Sequence, residues 1–428
     1  MRINHFITLT ALSPLMLFVS CIKESDGNIT RVREFIHHSW SKTPPCTAST
    51  ENNTLRDTYY WDTYFINEGL IPDNRIDCAK NNTDYMLHLV EQHGKMPNAN
   101  PTDYLNCSQP PYLSMMVARI YQCTHDKEWL RKACHILLKE YTFWMTRRLS
   151  PVGLNHYSGS AGEAEIKEII KTGSKYLGTD FTKKGLTEEQ LTAVGKNLLA
   201  ERESGWDLNP RFEGRCMDFC PIDLNANLYL YEKNFARFAS ELAMADSSQM
   251  WSVKAAKRKA LLKTCCYNAT DKLYYDYDYV NNKQSDVLSA AVFSLMYAGV
   301  VEEAEATHLV KSLHKLEYEH GIAACENKDY QYKYRWCYPN AWPPLQYIAV
   351  RALNNYNYTK EARRIAEKYV KTVASTYKNT GHLWEKYNVR KGTVEVHNEY
   401  EMPATPGWTA GVFIYLSEYL NNSKYNIK

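Results

Sequence analysis

Apolar residues recur at helical spacing along most of the chain beyond its first twenty residues. Leu224, Leu228, Tyr231, Phe235, Phe238 and Leu242 follow steps of four and three, the signature of one buried helix face. Ala362, Ile365, Ala366, Tyr369, Val370 and Val373 repeat the pattern. Thr187 with Gln190 predicts a capping box that opens a helix running toward Ala200. Pro344 stands where a first helical position is predicted, ahead of Leu345, Ile348, Ala349 and Ala352. Strand-like alternation is scarce, with residues 273–280 (LYYDYDYV) the best short candidate. No Gly/Ser/Pro-rich linker divides the chain. The prediction is one all-α domain over residues 22–428, its stripes serving as core faces.

The first 21 residues depart from that pattern. Arg2 is followed by an apolar stretch from Phe6 to Val19, interrupted by Pro14, and by the small residue Ser20. This predicts a secretory signal peptide over 1–21 and an extracellular protein. Asn-x-Ser/Thr acceptors at Asn28, Asn52, Asn81, Asn106, Asn268, Asn357 and Asn421 agree with a glycoprotein. Of the 12 cysteines, loss of Cys21 with the leader leaves an odd number, so at least one thiol is left out of any intramolecular pairing. Cys216 and Cys220 lack a CxxC or Cys/His companion, so a disulfide or core burial is expected there and not a metal.

Charge narrows the partners. The formal net charge is +3 with both signs interspersed, which leaves no basic footprint for nucleic acid. No stretch reaches the length of a membrane span, so an integral membrane protein is not expected. The aromatic content is unusual, with Tyr 33 and Trp 10 against Phe 12. Tyr and Trp join an apolar face to a polar tip, as a surface that holds a wetted polyol requires.

Four segments between predicted helices combine tryptophan with acid or amide. They are residues 56–64 (RDTYYWDTY), 203–212 (ESGWDLNPRF), 336–346 (WCYPNAWPPLQ) and 383–388 (LWEKYN). Each pairs an aromatic ring with an oriented hydrogen-bonding group, the combination that grips a sugar. One such pairing alone is more simply a capped helix or a surface turn; four such segments in one chain are not. Asp207 and Glu385 lie in different segments, so a fold can set them across one cleft. Glycoside hydrolysis requires two such carboxyls, one giving a proton to the leaving oxygen and one ionised.

At these residues the chain resembles the trehalase family, which splits α,α-trehalose into two glucoses. The Tyr-Trp-Asp, Glu-Ser-Gly-Trp-Asp, Pro-Asn-x-Trp-x-Pro-Leu-Gln and Glu-Lys-Tyr strings stand here in the family's order. Residues 94–98 through 108–111 and 399–401 through 407–409 match two further family segments. The resemblance implies an (α/α)6 barrel with the site at one rim, inverting chemistry, a disaccharide substrate and neither metal nor cofactor. It implies Asp207 as general acid and Glu385 as general base; the residues alone leave Glu385 and Glu399 open as the base. It further implies sugar contacts from Trp61, Asp62, Asn98, Gln109, Glu163, Gly205, Trp336, Trp342 and Glu399. Thr54, Cys107 and, in a looser alignment, Ala161 stand where the family carries arginines, and Cys337 replaces the aspartate after Trp336. Arg75, Lys95 and His156 are the neighbours considered as substitutes. Two other readings stay open: a secreted, trehalase-like sugar-binding or decoy protein with little or no turnover, and a hydrolase of the same barrel acting on another glucoside.

Overall fold

The computed structural model describes residues 14–42, 58–100, 105–330, 334–396, 402–404 and 407–421 (side chains of 14–26, 58 and 100 aside). Its first seven α-helices are α1 Pro14–Lys42, α2 Tyr60–Leu70, α3 Ile76–His93, α4 Leu113–Thr124, α5 Lys127–Arg147, α6 Glu163–Tyr176 and α7 Glu188–Glu203. The rest are α8 Ile222–Glu241, α9 Ala245–Cys266, α10 Val292–Ala298, α11 Glu303–Lys311, α12 Pro343–Asn355, α13 Thr359–Thr380 and α14 Gly407–Asn421. Among the described residues every β-strand is two residues long.

Six helices close a ring: α2 packs on α4, α4 on α8, α8 on α10, α10 on α12, α12 on α14, and α14 back on α2. Outside them, α3, α5, α9, α13 and α1 each lie against one or two ring members. This is the (α/α)6 toroid. The two layers differ in sequence for a physical reason. An outer helix buries one stripe, so α13 buries Ala362, Ile365, Ala366, Tyr369, Val370 and Val373. A ring helix is enclosed on most sides, and α12 buries every residue from Pro343 to Val350. The ring closes where α2 meets α14 backbone to backbone: a Cβ on Gly69 would lie 2.4 Å from Gly411 Cα, and one on Gly411 would lie 2.3 Å from Phe65 O. Only glycine permits that crossing.

Most predicted elements are present, with shifted ends. Thr187 and Gln190 form the expected capping box, and α7 runs on to Glu203. α12 starts at Pro343, one residue before the expected position, so two prolines occupy its first turn, where no amide donor is needed. Residues 273–280 form two separate strands, Leu273–Tyr274 and Tyr277–Asp278. Between them Asp276 turns inward to bind Arg211. Cys216 and Cys220 are buried free thiols, the core outcome of the two expected, and seven further described cysteines are free as well. Cys78 is disulfide-bonded. No helix among the described residues is long and apolar enough to cross a membrane.

Candidate active site

The segments singled out in the sequence meet at one rim of the toroid, where two short ladders tie them. Thr58–Tyr59 pairs antiparallel with Ala99–Asn100, setting Trp61 and Asp62, in the first turn of α2, beside Asn98. Asn340–Ala341 pairs with Tyr387–Asn388, setting Trp342 beside Glu385 and Lys386. The end of α7 delivers residues 205–207, and α14 begins with Gly407 and Trp408.

Five tryptophans form one wall there. Trp336 lies 3.9 Å from Trp342 with planes 2° apart and 5.1 Å from Trp206 at 27°. Trp61 is 5.5 Å from Trp336, and Trp408 meets Trp61 and Trp342 edge-on at 5.7 Å each. All five are buried. Gly205 makes the close fit possible: it holds φ +70°, and a Cβ there would come within 2.9 Å of the Trp61 ring. Gln109 Oε1 accepts the Trp61 amide at 3.1 Å. Asn98 donates from Nδ2 to Ser108 O at 2.9 Å, binding its loop to the segment that leads into α4.

Two acids keep contact with solvent beside this wall. The Asp207 side chain is 36% exposed, and Arg335 Nη2 donates to its Oδ2 at 2.7 Å. The Glu385 side chain is 20% exposed, and the fully buried Lys386 donates to its Oε2 at 2.8 Å. Lys386 Nζ also sits 4.5 Å from the Trp342 ring centre; with one face of that ring covered by Trp336, the ammonium lies over the other. Arg335 O accepts the Trp342 indole at 3.3 Å. Each carboxylate thus has its own cation, and both cations are anchored on Trp342.

Four neighbouring residues bear on the charge. Surrounding protein pushes the Asp62 carboxyl up to about 8, with repulsion from Glu385 adding to it. Glu201, buried beneath the Asp207 loop, accepts the Leu208 amide at 2.9 Å, and burial raises it to about 8, with Asp207 adding. Burial drives the Cys107 thiol far up, so that position contributes no charge at neutral pH. Glu203 is held by Arg148 at 2.7 and 2.9 Å and accepts the amides of Ser108 and Ser158.

The structure therefore brings together Trp61, Asp62, Asn98, Gln109, Gly205, Asp207, Trp336, Trp342 and Glu385. Glu163 stands apart, in the first turn of α6 with its side chain 74% exposed and paired with Lys167. Thr54 and Glu399 lie outside the described residues. The tryptophan rings cover one another's faces, and Asp207 and Glu385 beside them keep solvent contact. Of the considered substitutes for the arginines, Arg75 bonds Asp73, Lys95 bonds Leu105 O, and His156 bonds Tyr157 O. The cation on Asp207 is Arg335, which the sequence reading passed over although it immediately precedes Trp336. Lys386, beside Glu385, was equally in view.

A trehalase family profile matches residues 54–421. The trehalase of Tenebrio molitor is 28% identical over 398 residues, 85% of this chain and 69% of that protein. The cytosolic neutral trehalase of Emericella nidulans is 28% identical over 426 residues, 86% of this chain and 57% of that protein. A periplasmic trehalase of Salmonella choleraesuis is 28% identical over 388 residues, 86% of this chain and 67% of that protein. The chain thus spans between about half and two thirds of its fungal, bacterial and insect relatives' length. Among solved structures, the neutral trehalase of Saccharomyces cerevisiae superposes with a TM-score of 0.74 at 26% identity, covering 88% of this chain and 74% of that one. A mannosylglycerate hydrolase from Thermus thermophilus shares the toroid at a TM-score of 0.61 and 14% identity. The family profile over residues 54–421 and the shared toroid settle the point: the chain belongs to the trehalase family.

Proposed function

We propose that this chain hydrolyses α,α-trehalose to two glucoses with inversion. Asp207 gives its proton to the glycosidic oxygen as the C1–O bond breaks. Glu385 takes a proton from the water that attacks C1 from the opposite face of the ring. The carrying observation is the pair of solvent-touching carboxylates on separate loops, each with a cation anchored on Trp342. Their positions in the motifs of a trehalase family member support the assignment of roles. Asp62, Asn98, Gln109 and the wall around Trp336 form the adjoining surface for the sugars, to which Glu399 belongs by motif.

The test is glucose released from α,α-trehalose by purified protein, with Asp207→Asn alongside. Release by the parent that disappears in a folded variant supports the reading. Release that survives the substitution removes Asp207 from the acid's role, and a folded parent that releases nothing ends the trehalase reading.

We further infer that the chain is exported through a leader spanning residues 1–21 and carries N-linked sugar. The cysteine bridge at Cys78 and the exposed acceptors Asn81, Asn357 and Asn421 support this. Asn106 is a poorer acceptor, because its side chain is bonded to Glu165 and Ser108 is buried. Recovery from the medium of a eukaryotic host, with a mass that falls on removal of N-glycans, is the expected result.

A further inference from the structure

We propose that Arg335 is the positioning residue for the acid: it fixes the Asp207 carboxyl and stabilises the carboxylate that remains once the proton has passed to the glycosidic oxygen. The inference rests on the hydrolytic reading above and adds a residue to it.

Its ground is the way Arg335 is held. The backbone amides of Arg335 and Trp336 donate to Leu208 O at 3.0 and 3.3 Å, on the residue next to Asp207. On its other side, Arg335 O accepts from Asn340 Nδ2 at 2.8 Å and Trp342 Nε1 at 3.3 Å. The main chain at 335 is thus stitched between the acid's loop and the tryptophan wall, and the guanidinium meets Asp207 Oδ2 at 2.7 Å from a fixed base. Among the described residues, two further groups act electrostatically with this carboxylate, a buried acid, Glu201, and a buried thiol, Cys107. Neither supplies positive charge. Family resemblance leads one to expect an arginine at 107; the cation that bonds Asp207 is Arg335, from a loop 128 residues beyond Asp207.

The chemistry follows from proton balance. Before the reaction the proton is on Asp207; afterwards it is on the departing glucose hydroxyl, and Asp207 is an anion. A guanidinium beside it stabilises that product more than the starting carboxylic acid, so it favours the transfer. A substrate whose leaving group departs with little need of a proton gains far less from it.

The experiment compares trehalose with α-glucosyl fluoride, whose fluoride needs little protonation, for the parent, Asp207→Asn, Arg335→Gln and Arg335→Lys. Expected for Arg335→Gln is a fall of kcat on trehalose of about tenfold or more, with KM and glucosyl fluoride turnover within about threefold of the parent. Arg335→Lys is expected to recover part of the loss, and guanidinium added to Arg335→Gln is expected to do the same. A variant that loses both substrates alike, or that keeps full trehalose turnover, overturns the inference. Failure of the hydrolytic reading shows elsewhere, as a parent that splits no trehalose or an Asp207→Asn variant that still does. If Arg335→Gln does not fold, the lysine variant carries the same comparison, and parental kinetics there with folding intact would also count against a guanidinium-specific role.

Discussion

Two arginines touch the tryptophan wall, and they are used in opposite ways. Arg211 is fully buried, stacks 4.5 Å from the Trp206 ring centre, and makes four hydrogen bonds of 2.7–3.0 Å to Asp223 and Asp276. Asp276 in turn accepts the Ile222 amide that opens α8. Arg335 holds Asp207 at a place open to water. Full coordination without solvent fixes a scaffold, because any displaced partner leaves a bare buried charge. A carboxylate that keeps solvent contact remains free to exchange its proton with a substrate. The contrast separates acids that build the rim from the acid proposed to work on it.

The sharpest way to break that contrast is at Asp207, the proposed acid. Asp207→Asn is expected to lower glucose release by about 10²–10⁴-fold, with an unchanged melting curve. At the scaffold the outcome reverses. Arg211→Met strands two buried carboxylates and is expected to cost about 3–5 kcal/mol of stability in denaturant titration. A smaller loss is expected from Gly205→Ala, about 1–2 kcal/mol for a side chain forced into the left-handed region, increased by contact with the Trp61 ring. Full stability in that variant would show that the wall yields.

Two acids whose carboxyls the surrounding protein raises give a pH dependence. Asp62 and Glu201 stand at about 8 when folded, above their ordinary 3.8 and 4.5. Between those limits the folded chain binds more protons than the unfolded one, so stability falls as pH rises from about 4 through 8. Asp62→Asn with Glu201→Gln should flatten that slope in melting curves taken across the range. Smallest of all is the surface: Lys167→Gln, which removes the exposed partner of Glu163, should leave the melting temperature unchanged.

Much of this was legible in the sequence, and the rest was hidden for identifiable reasons. Stripes such as that of α13 declare themselves, because an outer helix has one wet face. The four tryptophan-rich segments pointed to the rim because their residue types are rare together. What the tryptophans face was not legible. Residues rich in ring surface suit sugar stacking and mutual packing alike, and only the fold shows the 2° stack of Trp336 on Trp342. Glu163 matched a family string loosely, and nothing in that string reveals which side of α6 it occupies. Arg335 was passed over because its partner is distant in the chain, and no periodicity links a loop arginine to one particular acid.

The glycine contact between α2 and α14 bears on the order of events during synthesis. These are the first and last members of the ring, and each carries a tryptophan of the wall, Trp61 and Trp408. A nascent chain can pair most of its helices as they emerge, but the circle stays open until residues 407–421 have left the ribosome. The rim is therefore completed last, from sequence made early and sequence made late. A ribosome-bound intermediate stalled before Gly407 should already hold much of its helix and not yet a finished site.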